Sequence, residues 1–342
     1  MKHARKRWVL WIGVAISVLA LFLALRGIEF SEIKAAFGQA RYIYLVPAGL
    51  SLLGYLVARS VRWRILLGSE VSLGRCFWVT NIGYLVSNVF PFRLGDPARA
   101  IAVGLDREVK VSSALSTVVV ERVLDMLMVV LLLAGSLPFI EEAGGLRQAG
   151  LLAALAAIVA LAGMFLGALR PQWIRRMMTW TLGRVPGLDP QRLLSMIDGL
   201  LDGLAPLRSP RRLLELLAWS VVTWLLVVGY YWGMLWAFLD SPPLVEGSFL
   251  TSAIGLGMAI PAAPGAMGVF EAVARVALEV PFGVAQEPAL AVAFGSHAYQ
   301  YILSNLLGLV GLAQLGLSLR QLRADAATLE EDDQSLEVPT TR

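Results

Sequence analysis

Apolar runs of about 20 residues recur along almost the whole chain, the length an α-helix needs to cross the hydrocarbon core of a bilayer. Full spans are predicted at about 8–26, 42–66, 113–135, 149–169, 213–239 and 289–319. Composition agrees: 57% of the 342 residues are hydrophobic and only 16% are charged, against about 25% charged in soluble domains. The chain therefore reads as an all-α polytopic membrane protein, because a spanning helix satisfies its own backbone hydrogen bonds. Two further apolar segments, about 76–91 and 248–280, are broken by Gly, Pro and polar residues. They are expected to form re-entrant or discontinuous helices, since irregular backbone survives at membrane depth only where protein or water satisfies it.

Basic residues set the expected topology. Clusters at Lys2–Arg7, Arg59–Arg75, Arg93–Lys110, Arg170–Arg212 and Arg320–Arg323 contrast with nearly uncharged intervening loops. The positive-inside rule then places both termini in the cytoplasm of a multi-pass cell (inner) membrane protein. It also requires segment 76–91 to enter and leave on the cytoplasmic side and segment 248–280 to do so from outside. The apolar stretch after Met1–Arg7 is longer than a signal peptide needs and lacks an Ala-x-Ala-like site before Arg26, so it is expected to be a retained first helix.

The transmembrane domain is predicted over residues 1–323, with a first half at about 8–135 and a second at about 149–319. Both halves read as helix, helix, broken element, helix, but they start on opposite sides, which suggests an inverted repeat. A cytoplasmic stretch, about 170–212, carries Trp173, Met177 and Trp180 on one helical face, followed by Leu193, Ile197, Leu200, Leu201 and Leu204. That pattern suits helices lying on the inner leaflet or covering the underside of the bundle. Residues 324–342 are polar and acidic, and are expected to be disordered.

The polar interruptions carry the chemistry. The first runs from Asn88 through Pro91, Arg93, Gly95 and Asp96 to Arg99; the second from Pro261 through Pro264, Gly265 and Gly268 to Glu271, with Arg275 one turn on. Glu121, Arg122 and Asp125 follow the first inside a long apolar helix, and His297 follows the second. Each ionisable group costs about 2.5–3.5 kcal/mol at the centre of a spanning helix, so Glu121, Arg122 and Asp125 are expected to face inward. They read either as a structural network with Arg93 or Arg99, or as a substrate or proton site. Glu271 and Arg275 are spaced to pair with each other; alternatively, backbone N–H groups near Gly265 and Gly268 hold an anion such as phosphate. His297 is a titratable group or a hydrogen-bonded packing residue. Arg59, Arg62, Trp63 and Arg64, near a helix end, read as interfacial anchors.

Other chemistries find little support. The single Cys76 allows no internal disulfide or thiolate cluster, and no Walker-type loop is present. Ser296 and His297 are adjacent and so point apart on a helix. No catalytic motif, cofactor or metal site is expected. With so much apolar surface, a net charge of +4 implies membrane orientation and lipid headgroups rather than nucleic acid.

In Arg62-Trp63-x-x-Leu66-Leu67, Asn88-x-x-Pro91-x-Arg93-x-Gly95-Asp96-x-x-Arg99, Glu121-Arg122-x-x-Asp125 and Pro261-x-x-Pro264-Gly265-x-x-Gly268-x-x-Glu271, the chain resembles the flippase-like transmembrane domain of lysylphosphatidylglycerol synthases. The resemblance runs over nearly the whole chain. It implies a domain that moves an anionic phospholipid or a polyprenyl-linked lipid between leaflets. It departs from the family pattern at Asp96, where Glu is common, at Ala266, where Gly is common, and near His297, where Arg is common. The synthase's aminoacyl-transfer domain is not expected in the few residues after the last helix.

Together these readings predict a lipid translocase with Arg93, Arg99, Arg122 and Arg275 on phosphate. Glu121, Asp125 and Glu271 balance charge or carry protons, and Asn88, Asp96, Pro264, Gly265, Gly268 and His297 line the path. The alternatives are a lipid-modifying or polyprenyl-phosphate transferase, or an accessory subunit of an envelope-assembly complex. Membrane lipids are the expected partners, and a homo-oligomer or an envelope-biosynthesis partner is compatible with this reading.

Overall fold

The computed structural model describes residues 2–26, 30–68, 71–90, 94–105, 109–140, 170–182 and 204–318, with scattered positions between 155 and 201. Arg93 and the tail from residue 324 lie outside the described residues, as does much of the 149–169 span and of the 183–203 stretch. The described residues form eleven α-helices and no strand. They are α1 (Lys2–Leu25), α2 (Phe30–Gly38), α3 (Leu45–Leu67), α4 (Leu73–Val89), α5 (Gly95–Gly104), α6 (Val111–Ser136), α7 (Pro171–Leu182), α8 (Pro210–Phe238), α9 (Leu244–Gly257), α10 (Val269–Phe282) and α11 (Gln286–Leu315).

Local chemistry sets the helix ends. Ser72 caps α4 by accepting from the Arg75 N–H at 3.2 Å, and Pro210 occupies the first turn of α8. Gly283 and Gly316 close α10 and α11 in the left-handed conformation. Tyr42–Leu67 and Pro210–Phe238 are long and apolar enough to cross a membrane. The distribution of side chains is that of a protein in lipid: Phe22, Leu50, Leu225 and Ile302 are exposed, while Arg59, Arg62, Glu121 and Asp125 are buried.

Helix pairings repeat between the halves. In the first half α3 packs on α4, α4 on α5, α5 on α6 and α3 on α6; in the second, α8 packs on α9, α9 on α10, α10 on α11 and α8 on α11. Across the halves α3 packs on α8, and the α4–α11 contact is matched by α9–α6. Thus α3, α4, α5 and α6 correspond to α8, α9, α10 and α11. α4 ends at Val89 and α9 at Gly257, close to the interruptions expected from sequence, and the chain resumes at Gly95 in α5, a helix hidden in what reads as a basic loop. α2 was also not expected; its Phe37 packs edge-on against Phe238 of α8 at 5.2 Å.

Small residues let the backbones approach, as helices in lipid require. On α8, a Cβ at Gly229 would lie 3.0 Å from the Ser51 hydroxyl, and Gly233 already lies against Ala48 of α3. On α11, Gly308 and Gly311 face the Asn81 and Trp78 carbonyls of α4. The second interruption meets the end of α4: a Cβ at Gly265 would lie 3.8 Å from the Asn88 carbonyl oxygen. The Asn88 amide donates to Ser304 Oγ at 3.2 Å and to Asn305 Oδ1 at 3.1 Å, tying the end of α4 to α11.

A Cβ at Gly308 would sit 2.8 Å from the Asn81 carbonyl oxygen, whereas one at Gly135 meets nothing within 4 Å. Gly308→Val is expected to destabilise the protein by about 1–3 kcal/mol through overpacking. Gly135→Ala is expected to be neutral or slightly stabilising. Unfolding in detergent followed by circular dichroism checks both.

Candidate functional site

The densest polar structure joins α3, α5 and α6. Arg59 and Arg62 lie almost one turn apart on α3, so both reach α6, where Glu121 and Asp125 share a face at four-residue spacing. Arg62 Nη2 contacts Glu121 Oε1 at 3.1 Å and Asp125 Oδ1 at 2.7 Å. Arg59 reaches the same two carboxylates, each at 3.2 Å. Arg99 on α5 donates to the other Glu121 oxygen at 3.0 Å. Its guanidinium stacks 4.1 Å from the centroid of Trp63, whose indole N–H donates to Thr117 Oγ1 at 3.1 Å. From α8, the Trp224 N–H donates to Asp125 and Ser220 Oγ accepts from Arg62, both at 3.2 Å.

At the rim, Arg122 grips Asp96 through two donors, Nε to Oδ2 at 3.0 Å and Nη2 to Oδ1 at 2.8 Å. Its side chain is 51% exposed, so it sits at the rim, bound to Asp96 and within 3.9 Å of Asp125, rather than fully inward with Glu121 and Asp125 as expected. A residue next to Glu121 is rotated about 100° from it and cannot share its face. Among the described residues, four guanidinium groups thus meet three carboxylates, leaving one positive charge in surplus. Nε of Arg59 and Arg62, and both Nε and Nη2 of Arg99, are buried without a hydrogen-bond partner among the described residues. Buried donors in this state mark a place for water or an anion.

The second interruption has its own polar centre. Pro264–Ala266 form a 3₁₀ turn in which Gly265 takes φ 71°, and Gly268 follows at φ 84°, conformations that a Cβ would strain. Glu271, in the first turn of α10, accepts the Gly268 N–H on Oε2 at 2.6 Å and meets His297 Nδ1 on Oε1 at 2.6 Å. His297 Nε2 donates to the Gly265 carbonyl at 2.9 Å, and Phe270 stacks on the ring at 4.2 Å.

Several expectations change. Arg59, Arg62 and Trp63 are buried members of the cluster, not interfacial anchors; Arg64 points elsewhere, to the Val71 carbonyl at 2.8 Å. A sequence signal for the first two existed, since two inward carboxylates on α6 need cations from another helix. Arg275 does not pair with Glu271. It binds Glu279 at 2.7 Å and the Leu23 and Ala24 carbonyls of α1 at 3.2 and 2.6 Å, because Glu271 is already held by Gly268 and His297. The anion expected at the Gly268 N–H is replaced by the chain's own Glu271 carboxylate. Arg99, Glu121 and Asp125 come together, with Asp96 and Arg122 beside them. Asn88, Pro264, Gly265, Gly268, Glu271 and His297 gather around the second turn, and Arg93 lies outside the described residues.

The family model described as the lysylphosphatidylglycerol synthase TM region matches residues 10–308. A protein named glycosyltransferase AglD, from Haloferax volcanii, is 25% identical over 370 residues, covering 97% of this chain. The chain spans only 58% of that protein's length. No solved structure matches.

Removing one partner from a buried ion pair costs about 3–5 kcal/mol, because the other charge is left stranded. Glu121→Gln, which leaves Arg59, Arg62 and Arg99 short of a carboxylate, is expected to fall in that range. In a double-mutant cycle, Glu121→Gln with Arg99→Gln is expected to cost less than the sum of the single changes. Chemical unfolding of the detergent-purified variants measures both.

Proposed function

The chain belongs to the lysylphosphatidylglycerol synthase transmembrane-region family, and from that premise we propose that it moves an anionic phospholipid or polyprenyl-linked lipid between the leaflets of the cell membrane. The observation that carries this reading is the surplus positive charge of the α3–α5–α6 cluster, with unpartnered Arg99 donors beside a helix break. A phosphate headgroup needs cationic donors that are released from water only once, within the protein. Guanidinium groups suit this task because they stay charged and bind phosphate oxygens in pairs. In this reading Arg122 and Asp96, at the half-exposed rim, receive the headgroup. Arg99 takes it over while Glu121 retains Arg59 and Arg62. The apolar tails stay in the bilayer against exposed faces such as those of α3 and α6, so the protein transfers only the polar end.

The α4–α5 and α9–α10 hairpins are read as re-entrant elements entering from opposite sides, with both chain termini cytoplasmic. Their meeting at Asn88 and Gly265 supports a path that each closes from its own side. The relative named a glycosyltransferase favours a second reading, in which the domain serves group transfer onto a lipid.

Reconstitution into phosphatidylcholine vesicles with a trace of fluorescent (NBD-labelled) phosphatidylglycerol tests the proposal. Dithionite quenching is expected to show the probe crossing faster than in protein-free vesicles, with its mass unchanged. Losing hydrogen bonds to a charged group costs about 1.5–3 kcal/mol, so Arg99→Gln is expected to slow the movement by about ten- to a hundredfold. Vesicles with wild-type protein that match empty ones would sink the translocase reading, and a mass-shifted lipid would favour group transfer.

A further inference from the structure

The contacts of His297 fix where its hydrogens lie. Nε2 faces the Gly265 carbonyl oxygen at 2.9 Å, and a carbonyl only accepts, so Nε2 carries a hydrogen. Nδ1 faces Glu271 Oε1 at 2.6 Å. Two lone pairs do not sit that close, so a second hydrogen lies between these atoms. Drawn on nitrogen or on oxygen, it leaves the pair with no net charge. Because Glu271 Oε2 also holds the Gly268 N–H, this hydrogen fastens α11 to the Gly268 end of the turn, while the Nε2 hydrogen holds the Gly265 end. Phe270 covers the ring, and both partners are buried, so the contact is shielded from water.

Among the described residues the surroundings offer nothing that duplicates this proton. Tyr301 of α11 lies edge-on, 6.2 Å from the imidazole centroid, and Tyr231 of α8 lies beyond Phe270 at 6.4 Å. Arg275 and Glu279 of α10 are engaged with each other, and Arg275 also with α1 carbonyls. Among the described residues no ion pair from α1, α4 or α9 reaches Glu271 or His297. The corresponding bond in the first half, Arg99 to Glu121, joins the short helix after the break to the last helix of that half in the same way. Arginine cannot release its proton there; an imidazole paired with a carboxylate shares a hydrogen that either partner can give up.

We propose that the Glu271–His297 pair is a single-proton binding site that couples opening of the Pro261–Gly268 turn to a proton gradient. The inference rests on the translocase reading and supplies its energy source. With the proton bound, the turn is clamped to α11. When the proton passes to the aqueous phase, Nδ1 and Oε1 oppose each other and the clamp opens; reclosing takes one proton up. Lipid movement through that side is then linked to one proton per cycle.

Hydrogen exchange of segment 261–270 in the full-length protein, corrected for the intrinsic pH dependence of exchange, tests the site without any transport. The opening constant of the wild type is expected to rise with pH, by up to about tenfold per pH unit, the slope for release of one proton. His297→Gln, which has no titratable proton, is expected to show no slope. A flat wild-type profile overturns the proposal even if the variant cannot be purified. In vesicles carrying fluorescent phosphatidylglycerol, reversing an imposed pH gradient is expected to change the wild-type flux severalfold and to leave His297→Gln indifferent. Wild-type flux that ignores the gradient overturns the coupling while translocation stands. Should the probe not move at all, the translocase reading fails, and the exchange slope still decides the proton site.

Discussion

Glu121 is a carboxylate with no exposed surface, bound by guanidinium groups from two other helices, and the arrangement of the first half depends on it. Each of those charges would be costly in lipid, and together they are tolerable only when their geometry is met. The requirement is directional. α3 must turn Arg59 and Arg62 toward α6, and α5 must fold back far enough to bring Arg99 to the same carboxylate. Such a buried network adds little net stability over an apolar core. Its effect is to reject other registers of the same apolar helices, which packing in lipid distinguishes poorly. The glycine seams between α3 and α8 and between α4 and α11 complete the specification, because they fit only where small residues coincide.

The two halves solve one problem with different chemistry. In each, a short helix leaves a broken segment and is fastened to the last long helix of that half. The first fastening is Arg99 on Glu121; the second is Glu271 on His297. Acid and base have exchanged places between the short helix and the long one. The first centre keeps a surplus positive charge and unpartnered donors, whereas the second is neutral and satisfied. That asymmetry separates a place suited to an anionic group from a place suited to a proton, within a scaffold whose helix pairings match.

Much of this was readable from the sequence, and what was not has a common cause. Long helices and both breaks follow from hydropathy and from Pro and Gly, which act locally. The inward direction of Glu121 and Asp125 follows from their spacing and from the cost of charge in lipid. Arg59 and Arg62 were misread because a basic residue near a helix end is ordinarily an anchor, and their carboxylate partners lie about sixty residues away. α5 was hidden because its stretch reads as a basic loop, although Arg99 was already one of the two candidate partners for the Glu121 network. Arg275 failed in the opposite sense, since a good local spacing to Glu271 lost to the Gly268 N–H and His297.

The tight seams also limit how such a molecule can move. Where α8 lies against α3 and α11 against α4, glycines leave no room for a neighbour to slide, so those four helices form a frame. The broken segments are tied to the frame at their polar ends by a few side-chain bonds, which can exchange partners without opening an apolar core. Arg99 spends one donor on Glu121 and leaves two without a partner, so an incoming anion can bind before the existing bond breaks. His297 spends both nitrogens and leaves none. On the proposed reading, movement at the first break follows from gaining a ligand, and movement at the second follows from losing a proton.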